Sequence, residues 1–287
     1  MRIILNEKSF AEECIENKTL GEKPYYTLGV LAKYYYKYHN LRKVKIIKTL
    51  TAFIENYYPP YHYSKAMWDE SIERIAKHAG KYPLYEIDGV WVTDKELAKI
   101  DELPNKVLRR LAFTLLCLAK LNHIRTYSNH GWVNQDAKII FELARIDCPK
   151  IERYRKLGEL RQLGYLELPK ANDNLSVRVT YMDEDAKDGL FISDFRELGY
   201  EYMKLKGVNL IRCAECGVLT RGNKNGTRKY CKNCATYKPK DYKTVTCIDC
   251  GKTFNVLGNN RRTKRCSDCQ NSANKEKKRV WKQQNNS

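Results

Sequence analysis

Eight of the eleven cysteines fall into four Cys-x2-Cys pairs: Cys213/Cys216, Cys231/Cys234, Cys247/Cys250 and Cys266/Cys269, separated by 14, 12 and 15 residues. A Cys-x2-Cys turn aims two thiolates at one point, and a second turn about 10–20 residues on completes a four-sulfur cage suited to zinc. Taken in chain order, the pairs make two consecutive four-cysteine ribbons, 213–234 and 247–269, with two Zn2+ per chain. Gly217 and Gly251 directly follow the leading pairs, where the knuckle turn favours a residue that tolerates positive φ. Short apolar segments (218–219 and 254–256) follow, and polar loops lead to the closing pairs. Units this small have no adequate core without metal, so zinc binding would supply their folding energy. Four thiolates leave no position for water, so the expected sites are structural, not catalytic.

Two other uses of the cysteines fit the sequence less well. A disulfide framework is disfavoured: residues 1–9 lack the apolar stretch of a signal peptide, and cytosolic thiols stay reduced. A cross-braced site pairing 213/216 with 247/250 is disfavoured because each ribbon has a complete ligand set at ordinary spacing.

Charge points to a partner. The 287 residues carry a formal +19, and residues 207–287 hold 19 Lys and Arg against five Asp and Glu, a formal +14. Two four-thiolate zinc sites, each about −2 overall, would lower the total by about 4 and leave the C-terminal part strongly cationic. Such a surface favours polyanions. Arg261, Arg262, Lys264 and Arg265 precede the last cysteine pair, and a rigid knuckle would present them to phosphates. Lys277, Lys278 and Arg279 belong to a basic tail, 272–287, expected to lack fixed structure when free and to become helical on a phosphate backbone. The 21 tyrosines could stack on bases, but codon bias in an AT-rich genome is the preferred explanation.

The N-terminal region, 1–103, reads as helical. Ser9 is placed as the cap of a helix to 17, and Cys14 as a buried thiol. Two helices follow, 28–39 and 41–57, the second with Ile46, Ile47, Leu50, Phe53 and Ile54 on one face. Pro59-Pro60 breaks the pattern, and Ser64 is expected to cap a helix to 78 striped by Met67, Trp68, Ile72 and Ile75. Residues 84–92 suggest a tight hairpin turning at Asp88-Gly89. Thr93 and Glu96 make a capping box.

The next segment, 104–206, carries the clearest fold pattern. Residues 108–119 are apolar nearly all round, as in a buried central helix, with Cys117 inside it. A strand at 131–133, a helix at 135–146, a third helix from Pro149 to about 162, and strands at 165–168 and 175–181 follow. A helix from 193 to 206, capped by Ser193 or Asp194, is expected to lead into the ribbons. Leu160-Arg161-Gln162-Leu163-Gly164-Tyr165-Leu166 resembles the junction of recognition helix and wing in the winged-helix superfamily. The resemblance implies a third helix able to enter a DNA groove, with Lys150, Arg153 and Lys156 as candidate contacts. Glu152 and Glu159 stand on the same helix and oppose that use. The i,i+4 pairs Glu152–Lys156 and Arg155–Glu159 would absorb part of its charge.

Catalytic motifs are scarce. Gly251-Lys252-Thr253 lacks the upstream glycine of a phosphate loop, which is Thr246 here, and sits in a cysteine knuckle. The five histidines show no ligand spacing. His123 and His130 flank a polar loop near Trp132, where a metal or catalytic pair is the lesser reading. No apolar run is long enough to cross a membrane. The expected fold is a mainly α N-terminal part, a winged-helix-like α+β domain, then two small β-rich zinc ribbons, 207–240 and 241–271. The whole is similar to zinc-ribbon proteins of phages and mobile elements in low-GC bacteria. That resemblance implies a cytoplasmic, non-enzymatic nucleic-acid-binding protein, DNA favoured over RNA, in replication or transcription control. The alternative is a protein-interaction module or inhibitor of a host complex.

Overall fold

The computed structural model describes residues 3–169, 176–237, 242–257, 260 and 262–285. It is mostly helical, with small separate antiparallel sheets. The chain divides into two units, Met1–Cys213 with Gly217–Lys229, and Ala214–Cys216 with Tyr230–Ser287.

The first unit contains two hydrophobic cores. One is built by helices α1 (Glu7–Glu16), α2 (Pro24–Tyr38), α3 (Lys43–Tyr57) and α4 (Lys65–His78). Ile46, Leu50, Phe53 and Ile54 are buried along α3, as its periodicity predicts, and meet Leu28, Leu31 and Ile72 in this core. The cap of α1 is Asn6, whose side chain accepts from the Ser9 N–H; Ser9 itself lies inside the helix. Pro59-Pro60 opens a 3-10 turn, Pro59–Tyr63, which buries Tyr61 against Asp69 with a 2.8 Å hydrogen bond. Ser64 precedes α4 but makes no side-chain cap hydrogen bond. Met67 is exposed and outside the stripe.

The second core surrounds a long helix. Strand β1 (Val90–Val92) precedes α5 (Asp94–Asp101) and α6 (Lys106–Arg125). Every residue from Leu111 to Leu121 of α6 is buried, Cys117 included, as expected of a central helix. Then come β2 (Trp132–Val133), α7 (Ala137–Leu143), α8 (Lys150–Gln162), β3 (Leu166–Glu167) and β4 (Val177–Val179). The three strands form one sheet in the order β2-β4-β3, all antiparallel. Gly164, at φ +80°, ends the approach from α8 to β3. Residues 170–175 of the expected hairpin connection lie outside the described residues.

Residues 84–92 do not fold back on themselves: β1 pairs with β5 (Leu190–Ile192), about a hundred residues away, in the register Val90↔Ile192. The backbones crowd at Gly89, where a Cβ would stand 2.5 Å from the Ile192 carbonyl oxygen, so glycine serves close approach there. The helix expected from 193 begins later, as α9 (Leu198–Leu205), with no side-chain cap. Asp194 instead accepts from the Arg196 backbone N–H (3.0 Å) and pairs with its guanidinium (2.8 Å). Helix α9 packs on α6 through Phe113 and Tyr202, whose rings are 5.4 Å apart. Tyr202 also donates to Asp101 at 2.6 Å.

Candidate metal centres and nucleic-acid interface

The two cysteine groups are built alike. In the first, β6 (Leu210–Arg212) pairs with β7 (Leu219–Arg221), with Arg212 opposite Leu219. The Cys213 N–H donates to Val218 O and the Gly217 N–H to Cys213 O, both at 2.9 Å, closing the knuckle. In the second, β8 (Tyr242–Thr246) pairs with β9 (Thr253–Leu257), with Thr246 opposite Thr253. The Cys247 N–H donates to Lys252 O (2.9 Å) and the Gly251 N–H to Cys247 O (3.0 Å). Gly217 and Gly251 sit at φ +68° and +71°, the left-handed conformation their positions anticipate. The closing pairs lie at helix starts: Cys231 and Cys234 at α10 (Lys232–Tyr237), Cys266 and Cys269 at α11 (Ser267–Asn285).

The sulfurs of Cys213, Cys216, Cys231 and Cys234 lie within 4.8 Å of one another, and so do those of Cys247, Cys250, Cys266 and Cys269. The grouping is sequential, which removes the cross-braced alternative. The separations Cys216–Cys231 (3.8 Å) and Cys250–Cys266 (3.7 Å) are far longer than a disulfide. They match the edge of a tetrahedron with sulfur at about 2.3 Å from its centre, about 3.8 Å. Backbone N–H groups support the sulfurs, Cys234 donating to Cys231 Sγ and Cys266 to Cys247 Sγ, each at 3.4 Å. The Cys266 N–H leads the interactions that pull the Cys247 thiol down to about 6, while hydrogen bonds with Cys250 and Cys266 push Cys269 up. Four thiols at this spacing cannot all ionise unaided. A divalent cation at the centre supplies the compensating charge, so the residues fit a tetrahedral thiolate-bound ion.

Basic side chains cluster on the second knuckle. Arg262 and Lys264 are exposed. The Ile248 N–H donates to Lys264 O (3.1 Å), tying that loop to the knuckle. Arg265 is held by Asp249, its Nε donating at 2.6 Å, so it braces the cage and has less charge to offer a ligand. Arg261 lies outside the described residues. Lys252 is exposed next to Gly251 and belongs with this set. In the sequence Lys252 stands in a failed phosphate-loop match, and its place directly after the knuckle glycine is the signal for its role here.

The basic tail is helical in this structure, where the sequence suggests no fixed form. Helix α11 starts within the closing cysteine pair, so the second cage fixes its first turn. Internal contacts such as Gln270–Asn274 (3.0 Å) and Glu276–Arg279 (3.8 Å) support the helix further. Lys275, Lys277, Lys278 and Arg279 are all exposed. At about 100° per residue, Lys275, Lys278 and Arg279 share one face within roughly a third of a turn, with Lys277 opposite.

Helix α8 is less open to phosphates than its composition suggests. Lys150 is exposed. Arg153, half-buried, shares a helix face with buried Leu157 and Leu160, and its Nε donates to Cys148 O at 3.2 Å. Lys156 is half-buried. The intrahelical ion pair that forms is Arg155–Glu152 at 2.9 Å, an i,i+3 contact in place of the two i,i+4 pairs expected. The outward face carries Ile151, 81% exposed, and Tyr154.

No helix among the described residues is long and apolar enough to cross a membrane. Comparison with protein-family models, with curated proteins and with solved structures returned no match.

Proposed function

We propose that this chain is a nucleic-acid-binding protein with two structural Zn2+ sites, gripping phosphates through its second ribbon and helix α11. The observation that carries the reading is the array of exposed cations Lys252, Arg262, Lys264, Lys275, Lys278 and Arg279, mounted on a knuckle and a helix that share one cysteine cage. A metal-fixed frame holds these side chains in place before the ligand arrives, which lowers the ordering cost of binding. All-thiolate tetrahedral cages favour zinc over harder cations.

The segment 104–206 is, on this proposal, a winged-helix-like domain with a connecting helix. The order α6, β2, α7, α8, β3, β4 and the β2-β4-β3 sheet support this. In such a domain α8 would be the groove-reading element, which favours duplex DNA over RNA as the polymer. Phage or mobile-element replication, or transcription control, is the setting implied by the architecture's resemblance.

If six to ten phosphates are contacted, affinity falls about 10³–10⁵-fold between 50 and 200 mM salt. The test is the salt dependence of duplex binding by the triple variant Lys275→Ala/Lys278→Ala/Arg279→Ala. Losing three phosphate contacts lowers the log–log slope by about 2–3. An unchanged slope rejects the role of α11.

A second reading rests on the outward face of α8, where exposed Ile151 and Tyr154 stand beside an Arg155 already tied to Glu152. Such a face suits a protein partner, as in an inhibitor of a host complex. It predicts a complex that survives high salt and is lost in Ile151→Asp.

A further inference from the structure

The end of α6 carries an unexplained group of metal-binding side chains, remote in sequence from the cysteines. His123, in the last turn of α6, is 4% exposed, yet neither of its ring nitrogens has a hydrogen-bond partner among the described residues. A buried imidazole left this way is unfavourable, and such groups ask for a missing partner. Two other ligand types face it. His130 Nδ1 lies 3.2 Å from Glu184 Oε2, and His123 Nε2 lies 3.9 Å from the same oxygen. One ligand atom from each of the three residues lies within 4.8 Å of those from the other two.

The arrangement is held from outside. His130 adopts a left-handed backbone (φ 47°), unusual for a residue other than glycine, and its carbonyl accepts from Arg178 Nε at 2.9 Å. Glu184 hangs from a loop anchored by a buried ion pair. Lys120 Nζ donates to Asp183 O at 2.8 Å, and the Asp183 N–H donates to Glu96 Oε1 at 2.8 Å. Lys120 and Glu96 themselves pair at 2.8 Å. The ring of Tyr127, 4.7 Å from that of His123, covers one side. Fixed orientation of first ligands by surrounding hydrogen bonds is what metal sites require.

We propose that His123, His130 and Glu184 form a third metal site, of a kind different from the cysteine cages, for a divalent transition ion with zinc as the first candidate. Two imidazoles and a carboxylate suit zinc, whereas calcium and magnesium prefer all-oxygen shells. Ligands at about 2.1 Å in a tetrahedron stand about 3.4 Å apart, close to the His130–Glu184 separation and a small adjustment from the His123–Glu184 one. Three protein ligands leave a fourth position for water or an anionic ligand, in contrast to the closed four-thiolate sites. Binding through Nε2, the nitrogen nearer Glu184, satisfies one of the two buried nitrogens of His123 that have no partner among the described residues.

The test is zinc stoichiometry of the full chain at saturating free zinc, by equilibrium dialysis and elemental analysis, for wild type, His130→Ala and Glu184→Gln. His130 is exposed, so its variant should keep the fold, which far-UV circular dichroism checks. The result expected is one zinc fewer per chain in each variant than in wild type, whatever number the cysteines hold. Equal stoichiometry in all three overturns the site. The comparison does not depend on nucleic-acid binding, so it stands apart from the functional proposal.

Discussion

Replacing Lys120 with methionine should cost the first unit a large share of its stability. Glu96 and Lys120 are 2% and 5% exposed, and their charged atoms are 2.8 Å apart. Methionine fills most of the lysine's volume but leaves a buried carboxylate without its counter-charge, a change that costs about 3–5 kcal/mol. Glu96 keeps three other donors: the Thr93 N–H (2.8 Å), the Thr93 hydroxyl (3.2 Å) and the Asp183 N–H (2.8 Å). These place the loss near the lower end, about 3 kcal/mol, and with a urea dependence of about 2–3 kcal/mol/M the midpoint falls by roughly 1 M or more. The double variant Glu96→Gln/Lys120→Met removes both charges and retains a capping acceptor, so it should be more stable than Lys120→Met. Urea unfolding followed by circular dichroism reads both. A single variant within about 0.5 kcal/mol of wild type, or a double variant less stable than the single, would refute the pair's role.

Other perturbations follow from the same geometry. Gly199→Ala places a methyl 2.0 Å from the Ala144 carbonyl oxygen and should lower stability by about 1–3 kcal/mol as α9 is pushed away; a neutral urea midpoint contradicts this close approach. Burial alone would raise the Asp194 carboxyl, but hydrogen bonds from Arg196 and the nearby guanidiniums outweigh it and hold the group below the usual carboxylate range. A depressed folded value stabilises above the unfolded value of about 3.9 and is lost as pH falls through the folded one. Asp194→Asn should therefore be less stable than wild type at pH 7, with the gap closing in acid; a pH-independent gap would argue against the ion pair. Cys213→Ser/Cys216→Ser should release one zinc while leaving the second cage loaded, and unaltered metal content would sink the ribbon assignment.

The cysteine cages were legible in the sequence because their chemistry is local. Two residues between thiols and a glycine after the second already specify a knuckle, and the structure supplies its N–H···S bonds. The central helix was equally plain, since the apolar character of 108–119 persists nearly all round. Apart from local details such as the cap of α1, which is Asn6 and not Ser9, what failed depended on distant chain. Asp88-Gly89 carries the local signature of a tight turn, but β1 finds its partner in 190–192, and no window around residue 88 contains that information. Glu96 was recognised as half of a capping box; that it also neutralises Lys120 and hangs the loop of Glu184 required the tertiary fold. A metal or catalytic pair of His123 and His130 is only the lesser reading from sequence for the same reason, because the carboxylate that joins them, Glu184, arrives with the strand return more than fifty residues later. Helix α11 was underestimated because composition favours disorder there, whereas the cage at its first turn provides the nucleus that an isolated helix lacks.

The central claim, that the cationic second ribbon and α11 hold nucleic acid, is met most directly by fluorescence anisotropy of the zinc-loaded chain. Binding would be titrated against duplex DNA, single-stranded DNA and structured RNA between 50 and 200 mM salt. The account predicts tight binding to duplex DNA at low salt with a steep slope, about −0.9 for each phosphate contacted. Weak binding to all three polymers with a shallow slope would contradict it and turn attention to a protein partner for the face of α8.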